Sequence, residues 1–317
     1  MKRRTIIALI VAASLIITGG IVLILGLSFA GSGRQGNGLT SQEITVQESF
    51  DKIDIHTADC DVKFAMFSGR DDCMVQIRTQ ENVSHSAVVE DGTLKIKMID
   101  ERNWTDHISI GWTESMEMTV YLPAAEYDSL QVRTTTGDII LTQEPSFREA
   151  MLRSNTGDIS CVTGVSGDLL DCMTSTGDIS VQNSAPNVLK LQSNTGDFAV
   201  SVVAGGEIHM QTNTGDVDAE NVNALMFTCK TETGDVELEQ VLVEDYLQIR
   251  TDSGDVGVEN CDAGRVDIET ETGDVSGRFL TPKWFSAVSD TGNVTVPNTP
   301  DGGECRIQTD NGDIHFK

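Results

Sequence analysis

The sequence predicts an all-β protein, a single-stranded parallel β-helix (a β-solenoid) behind one N-terminal transmembrane helix. Three observations support this prediction. A motif of the form (Ser/Thr)-x-(Ser/Thr)-Gly-Asp-(Ile/Val/Phe) recurs at a nearly constant interval from residue 134 to the C-terminus. Apolar residues keep the same interval on both sides of the motif. An uncharged apolar segment, residues 5–30, follows a short basic N-terminus. A constant period is the signature of a solenoid.

The N-terminus is predicted to be a membrane anchor. Residues 1–4 contain Lys2, Arg3 and Arg4, and the apolar segment 5–30 that follows is long enough to cross a bilayer, which takes about 20 residues. The basic flank favours a cytoplasmic N-terminus and an extracytoplasmic remainder in a single-pass cell-membrane protein. Cleavage after Ala30, as in a signal peptide, is the alternative. Residues 31–42 are interpreted as a flexible tether.

Charge narrows the range of partners. The chain has 49 acidic and 22 basic residues, a net charge of −27, and every acidic residue follows position 42. Such a surface repels nucleic acid and attracts cations or basic partners. We therefore expect a membrane and a cell-envelope or protein partner, and no nucleic acid.

The glycine of the motif marks one corner of each predicted turn, because glycine adopts backbone conformations that tight corners need. From residue 130 to 317 the spacing of 19 or 20 residues predicts about ten turns. The corner glycines are Gly137, Gly157, Gly177, Gly196, Gly215, Gly234, Gly254, Gly273, Gly292 and Gly312.

Apolar positions seven and five residues before each glycine, and two and four after it, predict two short strands per turn, since polar residues alternate with them. A third inward-facing side is suggested seven residues after the glycine, at Val203, Val222, Val241, Cys261 and Leu280. Right-handed coiling is the default for parallel crossovers.

Residues 43–129 are predicted to form an irregular β cap that includes a first, degenerate turn. Ile53, Ile55, Val62 and Phe64 keep the register around Cys60, which takes the glycine position. Downstream of Ala65 the period is lost and paired strands are expected. The chain ends within its last predicted strand, so we expect an uncapped C-terminal edge, which is prone to pairing with other chains.

The Gly-Asp corners are the sharpest candidates for chemistry. Asp can hydrogen-bond the backbone of its own turn, which explains the motif structurally. Stacked carboxylates are also typical ligands of a weakly bound Ca²⁺ ion. The acidic ladder proposed for this role comprises Asp235, Asp255 and Asp274 together with Glu232, Asp252 and Glu271, two residues before their glycines. No other cofactor is expected.

Catalytic and redox patterns are weak. Cys161, Cys172, Cys229, Cys261 and Cys305 fall on inward positions, where a thiol behaves as a small hydrophobe, although a Cys161–Cys172 disulfide is conceivable. Every turn carries the same Asp, so no turn is singled out as an active site. Arg133 and Arg153 form a small basic spot, interpreted as a solvated pair.

The Gly-Asp corners behind one apolar segment resemble a bacterial family of unknown function with a β-helix domain, the putative-adhesin family. Some of its members are membrane-anchored and encoded beside cell-envelope stress regulators. The resemblance covers residues 45–317 and implies the β-helix fold and an adhesin role. Together with the acidic charge and the lack of a distinct turn, it leads us to expect a non-enzymatic module that presents an acidic surface for adhesion or envelope binding. The alternatives are an accessory role in envelope-stress signalling through a membrane partner and a polysaccharide-cleaving β-helix enzyme.

Overall fold

The computed structural model describes residues 39–67, 69–102, 115–142, 145–162 and 165–317. These residues form strands joined into one continuous sheet, without α-helix. Within them, no helix has the length and apolarity that a bilayer crossing requires. The predicted membrane span 5–30 and most of the predicted tether lie outside the described residues.

Apart from three consecutive strands of 14, 18 and 17 residues, the strands span two to nine residues each. They are β1 (Leu39–Val46), β2 (Lys52–His56), β3 (Cys60–Met66), β4 (Cys73–Gln80), β5 (Val83–Glu90), β6 (Thr93–Asp100), β7 (Met116–Leu122), β8 (Glu126–Arg133), β9 (Ile139–Leu141), β10 (Ser146–Arg153), β11 (Ile159–Cys161), β12 (Val165–Met173), β13 (Ile179–Gln182), β14 (Val188–Gln192), β15 (Phe198–Ala204), β16 (Glu207–Gln211), β17 (Val217–Lys230), β18 (Val236–Ser253), β19 (Val256–Thr272), β20 (Val275–Phe279), β21 (Lys283–Ser289), β22 (Val294–Thr295), β23 (Gly303–Asn311) and β24 (Ile314–Phe316).

Successive turns stack in parallel and in register, which confirms the predicted β-solenoid. Leu130 pairs with Ala150, Ala150 with Leu170, and Leu170 with Leu189. After the corner, the Ile139 column continues through Ile159 in the same way. These columns are buried except in the outermost turn, where Phe285 is half-buried and Val294 is exposed, so the core is a stack of apolar layers. Each layer depends on its neighbours for burial, as expected of a solenoid.

A second corner, six residues after the glycine, turns the chain toward the third side. Asn183, Val202, Asn221, Gln240 and Asn260 all have a left-handed backbone there, with φ between 48° and 55°. The next residue then points inward, as predicted for Val203, Val222, Val241 and Cys261, which are buried.

Leu280 is the exception on this third side, because 58% of it is exposed. Its turn has no left-handed residue at the second corner, so the inward position comes one residue earlier. Phe279 pairs with Cys261 there and stacks on Phe316, with 5.3 Å between ring centroids. The prediction for Leu280 is therefore wrong, and the cause is a shorter corner.

The C-terminal end of the rod is not built in chain order. Strand β23 lies between β19 and β21, and β24 lies between β20 and β22. The turn that ends at Lys317 is therefore an inner layer, paired on both edges. The outermost layer is the preceding turn, residues 283–295. The sequence predicted an open edge at the C-terminal strand, and this prediction is wrong.

The N-terminal end has the same arrangement. Strand β2 lies between β6 and β8, and β3 lies between β7 and β9. This inner layer is the degenerate turn: Ile53 pairs with Leu130, Val62 pairs with Ile139, and Asp59 bridges to Thr136 beside Cys60. Both ends of the repeat are thus held beneath an outer layer.

An antiparallel cap covers the N-terminal layer. Strand β5 pairs with β6 around Asp91-Gly92, while β4 pairs with β7, and β1 pairs with β4. Since β1 begins at Leu39, residues 39–42 are strand, although the sequence placed them in the tether.

Candidate functional site

The corner glycines permit close stacking of the turns. Gly234 has φ +149°, a conformation rare for residues with a side chain. A Cβ at this position would lie under 3.0 Å from the carbonyl oxygen of Gly215 in the turn below. The corner therefore requires glycine both for its dihedral angle and for the approach of the adjacent backbone.

The hydroxyl residue three positions before the corner glycine donates a hydrogen bond to a backbone carbonyl oxygen of the neighbouring corner. Thr231 Oγ1 donates to the Gly215 carbonyl oxygen at 3.2 Å, and Thr251 Oγ1 donates to that of Gly234 at 3.3 Å. The same bond recurs through the rod, at Ser154, Thr174, Ser193, Thr212, Thr270 and Thr309. These side chains are buried, so the bond compensates for the loss of water at the carbonyl group.

The corner aspartates form a ladder of hydrogen bonds between turns. Asp235 Oδ1 accepts from the backbone N–H of Asp255 at 2.8 Å, and the N–H of Asp235 donates to Asp216 Oδ1 at 2.9 Å. The ladder runs from Asp61 to Asp313. Each carboxylate thus binds the adjacent turn, whereas the sequence suggested its own turn.

The carboxylates predicted to bind a cation lie on either side of this corner. Asp235, Asp255 and Asp274 belong to the ladder, while Glu232, Asp252 and Glu271 form an exposed row before it. Among the described residues, no group of three or more His, Cys, Asp and Glu side chains is arranged to hold a metal ion. Weak Ca²⁺ binding by these rows stays a prediction.

More carboxylates extend the acidic surface beyond the ladder. Asp218 and Glu237 pair in register on adjacent turns. Partial burial, followed by repulsion from Asp216 and Asp197, raises the pKa of Asp218. Partial burial and the charge of Asp218 likewise raise the pKa of Glu237. Repulsion between carboxylates is the secondary cause of both shifts, after burial, and an approaching cationic partner would relieve it. We call the ladder, the Glu232 row and this pair the acidic surface.

All seven cysteines are buried free thiols. Burial raises the pKa of Cys60, Cys73, Cys229 and Cys305 to about 12. Contact with the thiol of Cys161, and then burial, raises the pKa of Cys172. Because the thiolate is the reactive form, these residues are unsuited to nucleophilic chemistry.

A second surface includes Arg133 and Arg153 but was otherwise not predicted from the sequence. The residues four positions before each corner stack in register into one column, which contains no carboxylate as far as Arg250 and continues after it with Glu269. We call the part as far as Arg250 the amide–cation column; in stacking order it comprises Lys97, His56, Arg133, Arg153, Met173, Gln192, Gln211, Lys230 and Arg250. Writing the repeats beneath one another would have revealed it.

Comparisons with known proteins give a family but no characterised relative. A family model described as Toastrack DUF4097 matches residues 50–239 and 206–317. Among curated proteins nothing matches the chain.

Solved structures similar to the chain include a putative adhesin from Bacteroides fragilis, with 15% identity, a TM-score of 0.41, and coverage of 90% of this chain and 100% of that one. A putative lipid binding protein from Parabacteroides distasonis has 15% identity and a TM-score of 0.45, covering 89% and 98%. A putative cell adhesion protein from Clostridium sporogenes has 11% identity and a TM-score of 0.22, covering 88% and 99%. Similarity at this level carries no functional argument.

Proposed function

Because the chain belongs to the Toastrack DUF4097 family and presents long charged rows, we propose that it is a non-enzymatic binding module of the cell envelope. Its acidic surface would attach the cell to a basic partner. The N-terminal apolar segment would anchor the rod in the cell membrane, with the solenoid outside.

The observation that carries this proposal is the in-register repetition of exposed carboxylates along the rod. Glu232, Asp252 and Glu271 occupy equivalent positions on successive turns, about 4.8 Å apart, which is the spacing of neighbouring strands. A single exposed ion pair contributes little to binding, about 0–1 kcal/mol. A row of such pairs engages a partner at many points at once, so the summed affinity is much larger. A repeated surface is therefore better suited to attachment than to catalysis at one point.

The experiment compares surface attachment of wild-type cells, a deletion strain and complemented strains. One complementing variant neutralises the row (Glu232→Gln, Asp252→Asn, Glu271→Gln). A matched control neutralises three exposed acids outside it (Glu207→Gln, Glu244→Gln, Asp245→Asn). We expect attachment to be lost on deletion, restored by the wild type and the control, and not restored by the row variant.

Two outcomes would contradict the proposal. Normal attachment of the deletion strain would exclude an adhesive role. Full rescue by the row variant would show that the acidic surface is not the binding surface. A deletion strain that attaches normally but loses its response to envelope stress would favour the signalling alternative.

A further inference from the structure

The amide–cation column is a positively charged strip on a strongly acidic molecule. The chain has a net charge of −27, yet the column carries Lys97, Arg133, Arg153, Lys230 and Arg250 and no carboxylate. Its members pair in register, so they recur about every 4.8 Å along the rod. The side chains of the amide–cation column therefore carry charge of the opposite sign to that of the acidic surface.

The neighbouring columns keep the strip polar and mostly uncharged. On the corner side, the neighbouring column is neutral in the early turns, at Thr135, Asn155, Ser175, Asn194 and Asn213. In the later turns it continues as the acidic row Glu232, Asp252 and Glu271. On the other side Lys190, His209, Thr228 and Gln248 follow one another in register. In the turns from Arg133 to Gln211, these neighbouring positions contain one acidic residue, Asp171. Arg153 neutralises it, with its Nη1 atom 2.9 Å from Asp171 Oδ1.

Several cations are available to a ligand on the face formed by the amide–cation column and its neighbouring columns. Arg153 pairs with Asp171, and Arg250 pairs with Glu269 at 3.4 Å. In the part of the chain that the structure describes, Lys97, Lys190 and Lys230 make no ion pair, and Arg133 contacts only the Nε2 atom of His56, at 3.2 Å. These charges are held in a row by the sheet without being neutralised by it.

The face also has a groove. A shallow cavity of about 420 Å³ is lined by Lys190, Gln192, His209, Gln211, Lys230 and Arg250. This volume lies in the range of small-ligand sites, roughly 300–1,000 Å³. Its lining combines cations with amide groups, which both donate and accept hydrogen bonds.

We infer that this face binds a linear anionic polysaccharide lying along the column. Lys and Arg bind its carboxylate, sulfate or phosphate groups through charge-assisted hydrogen bonds. The Gln and Asn side chains bind its hydroxyl groups, which accept and donate as amides do. The alternative occupant, the acidic surface of a second copy, would use the cations and the amide N–H groups but would leave the amide carbonyl oxygens without a donor.

This inference deepens the proposed binding function by naming a ligand class, but it uses a different surface. Failure of one is therefore distinguishable from failure of the other. Neutralising Glu232, Asp252 and Glu271 should leave polysaccharide binding intact, or strengthen it by reducing repulsion.

The test is a binding titration of the full chain in detergent micelles at low salt. The probes are polygalacturonate, a neutral linear glucan of the same length, and polyglutamate. We expect binding of polygalacturonate that weakens as salt is added, at least about tenfold weaker binding of polyglutamate, and no binding of the neutral glucan. The absence of polygalacturonate binding, or equally tight binding of polyglutamate, would overturn the inference.

Two sets of variants locate the site. The triple variant Arg133→Gln, Lys190→Gln, Lys230→Gln should weaken polygalacturonate binding at least about tenfold. The matched control Arg70→Gln, Arg278→Gln, Lys317→Gln removes the same charge from exposed positions elsewhere and should bind as the wild type does. Equal losses in both triples would show a net-charge effect and refute the site.

The amide groups are tested separately. The variant Gln192→Ala, Gln211→Ala should weaken binding of polygalacturonate more than binding of polyglutamate, because only the polysaccharide hydroxyl groups use both the N–H and the C=O groups of the amides; equal losses for both probes would contradict a role for the amides in recognising hydroxyl groups. All these positions are at least partly exposed, so unchanged thermal melts would verify folding. Self-association of the chain that the Arg133 triple abolishes would assign the face to a second copy, against the inference.

Discussion

Replacing Gly234 with Ala should destabilise the rod far more than a methyl group ordinarily does. Gly234 has φ +149°, and the added Cβ would lie under 3.0 Å from the Gly215 carbonyl oxygen. Unlike the end of a flexible side chain, this oxygen is backbone. It also accepts the hydrogen bond of Thr231, so it cannot move without disturbing the next layer.

The magnitude follows from these two contributions. Backbone strain at such a dihedral angle costs about 1–3 kcal/mol. Separation of the two turns weakens the hydroxyl bond and the Asp235–Asp216 bond, each contributing roughly 1 kcal/mol. A total near 3–5 kcal/mol corresponds to a fall of about 6–20 °C in the melting temperature, at roughly 2–4 °C per kcal/mol.

The assay is a thermal melt of the full chain, followed by circular dichroism, with hydrogen exchange to locate the loss. Gly257→Ala is the matched control: its backbone is not left-handed and its Cβ would meet only the flexible carboxylate of Glu237. That change should stay within about 1 kcal/mol. Equal melting of Gly234→Ala and the wild type would refute the corner mechanism.

Four further predictions test other parts of the molecule. Val202→Asn should stabilise by about 1 kcal/mol, because a β-branched residue there is held at φ 54° while its side chain is 54% exposed; an unchanged melt would show that this corner is unstrained. Asp235→Ala should destabilise by about 1–2 kcal/mol since the Asp255 N–H loses its acceptor, whereas Asp235→Asn keeps an acceptor and should melt near the wild type; equal effects would contradict the ladder. Burial lowers the pKa of His85 to about 4, so between its ordinary pKa of 6.5 and about 4 the unfolded chain binds a proton that the folded chain does not. The free energy of unfolding should therefore decrease as the pH is lowered through that window. His85→Gln should reduce the decrease in denaturant midpoint between about pH 7 and pH 5, and an unchanged decrease would contradict this assignment. Millimolar Ca²⁺ should raise the melting temperature above Mg²⁺ at matched ionic strength if the acidic rows bind it, and a shift that follows ionic strength alone would contradict that role.

The inward columns were predictable because they depend on local alternation. Positions such as Leu130 and Ile139 lie at constant distances from a glycine, and each turn repeats them. The degenerate turn around Cys60 was predictable for the same reason, although its corner residue differs. The prediction for Leu280 was wrong because the second corner of its turn is one residue shorter. The alternation of apolar and polar residues around the glycine gives no information about the length of that corner.

The candidate surfaces were only partly predictable. The sequence showed the acidic row at Glu232, Asp252 and Glu271, because acidic residues replace neutral ones at this position in the later turns. It did not show that each corner carboxylate accepts a hydrogen bond from the next turn, since that partner is 19 or 20 residues away. The amide–cation column from Arg133 to Arg250 was visible in the aligned repeats, whereas Lys97 joins it only through the pairing of the cap.

The sequence by itself determined the period, the inward columns and the chemistry of each corner, because these follow from side-chain direction within a single turn. Only the tertiary structure decided which turn lies on which. Turns with the same columns can stack in any order, so the repeat does not specify that 303–316 lies beneath 283–295 or that 52–66 lies beneath 93–122. Backbone hydrogen bonding does not choose between these orders, since each leaves one outer strand with an unpaired edge. Side-chain packing between layers does: Phe316 of the inserted turn contacts the ring of Phe279 on one side at 5.3 Å and that of Phe285 on the other at 5.5 Å between ring centroids.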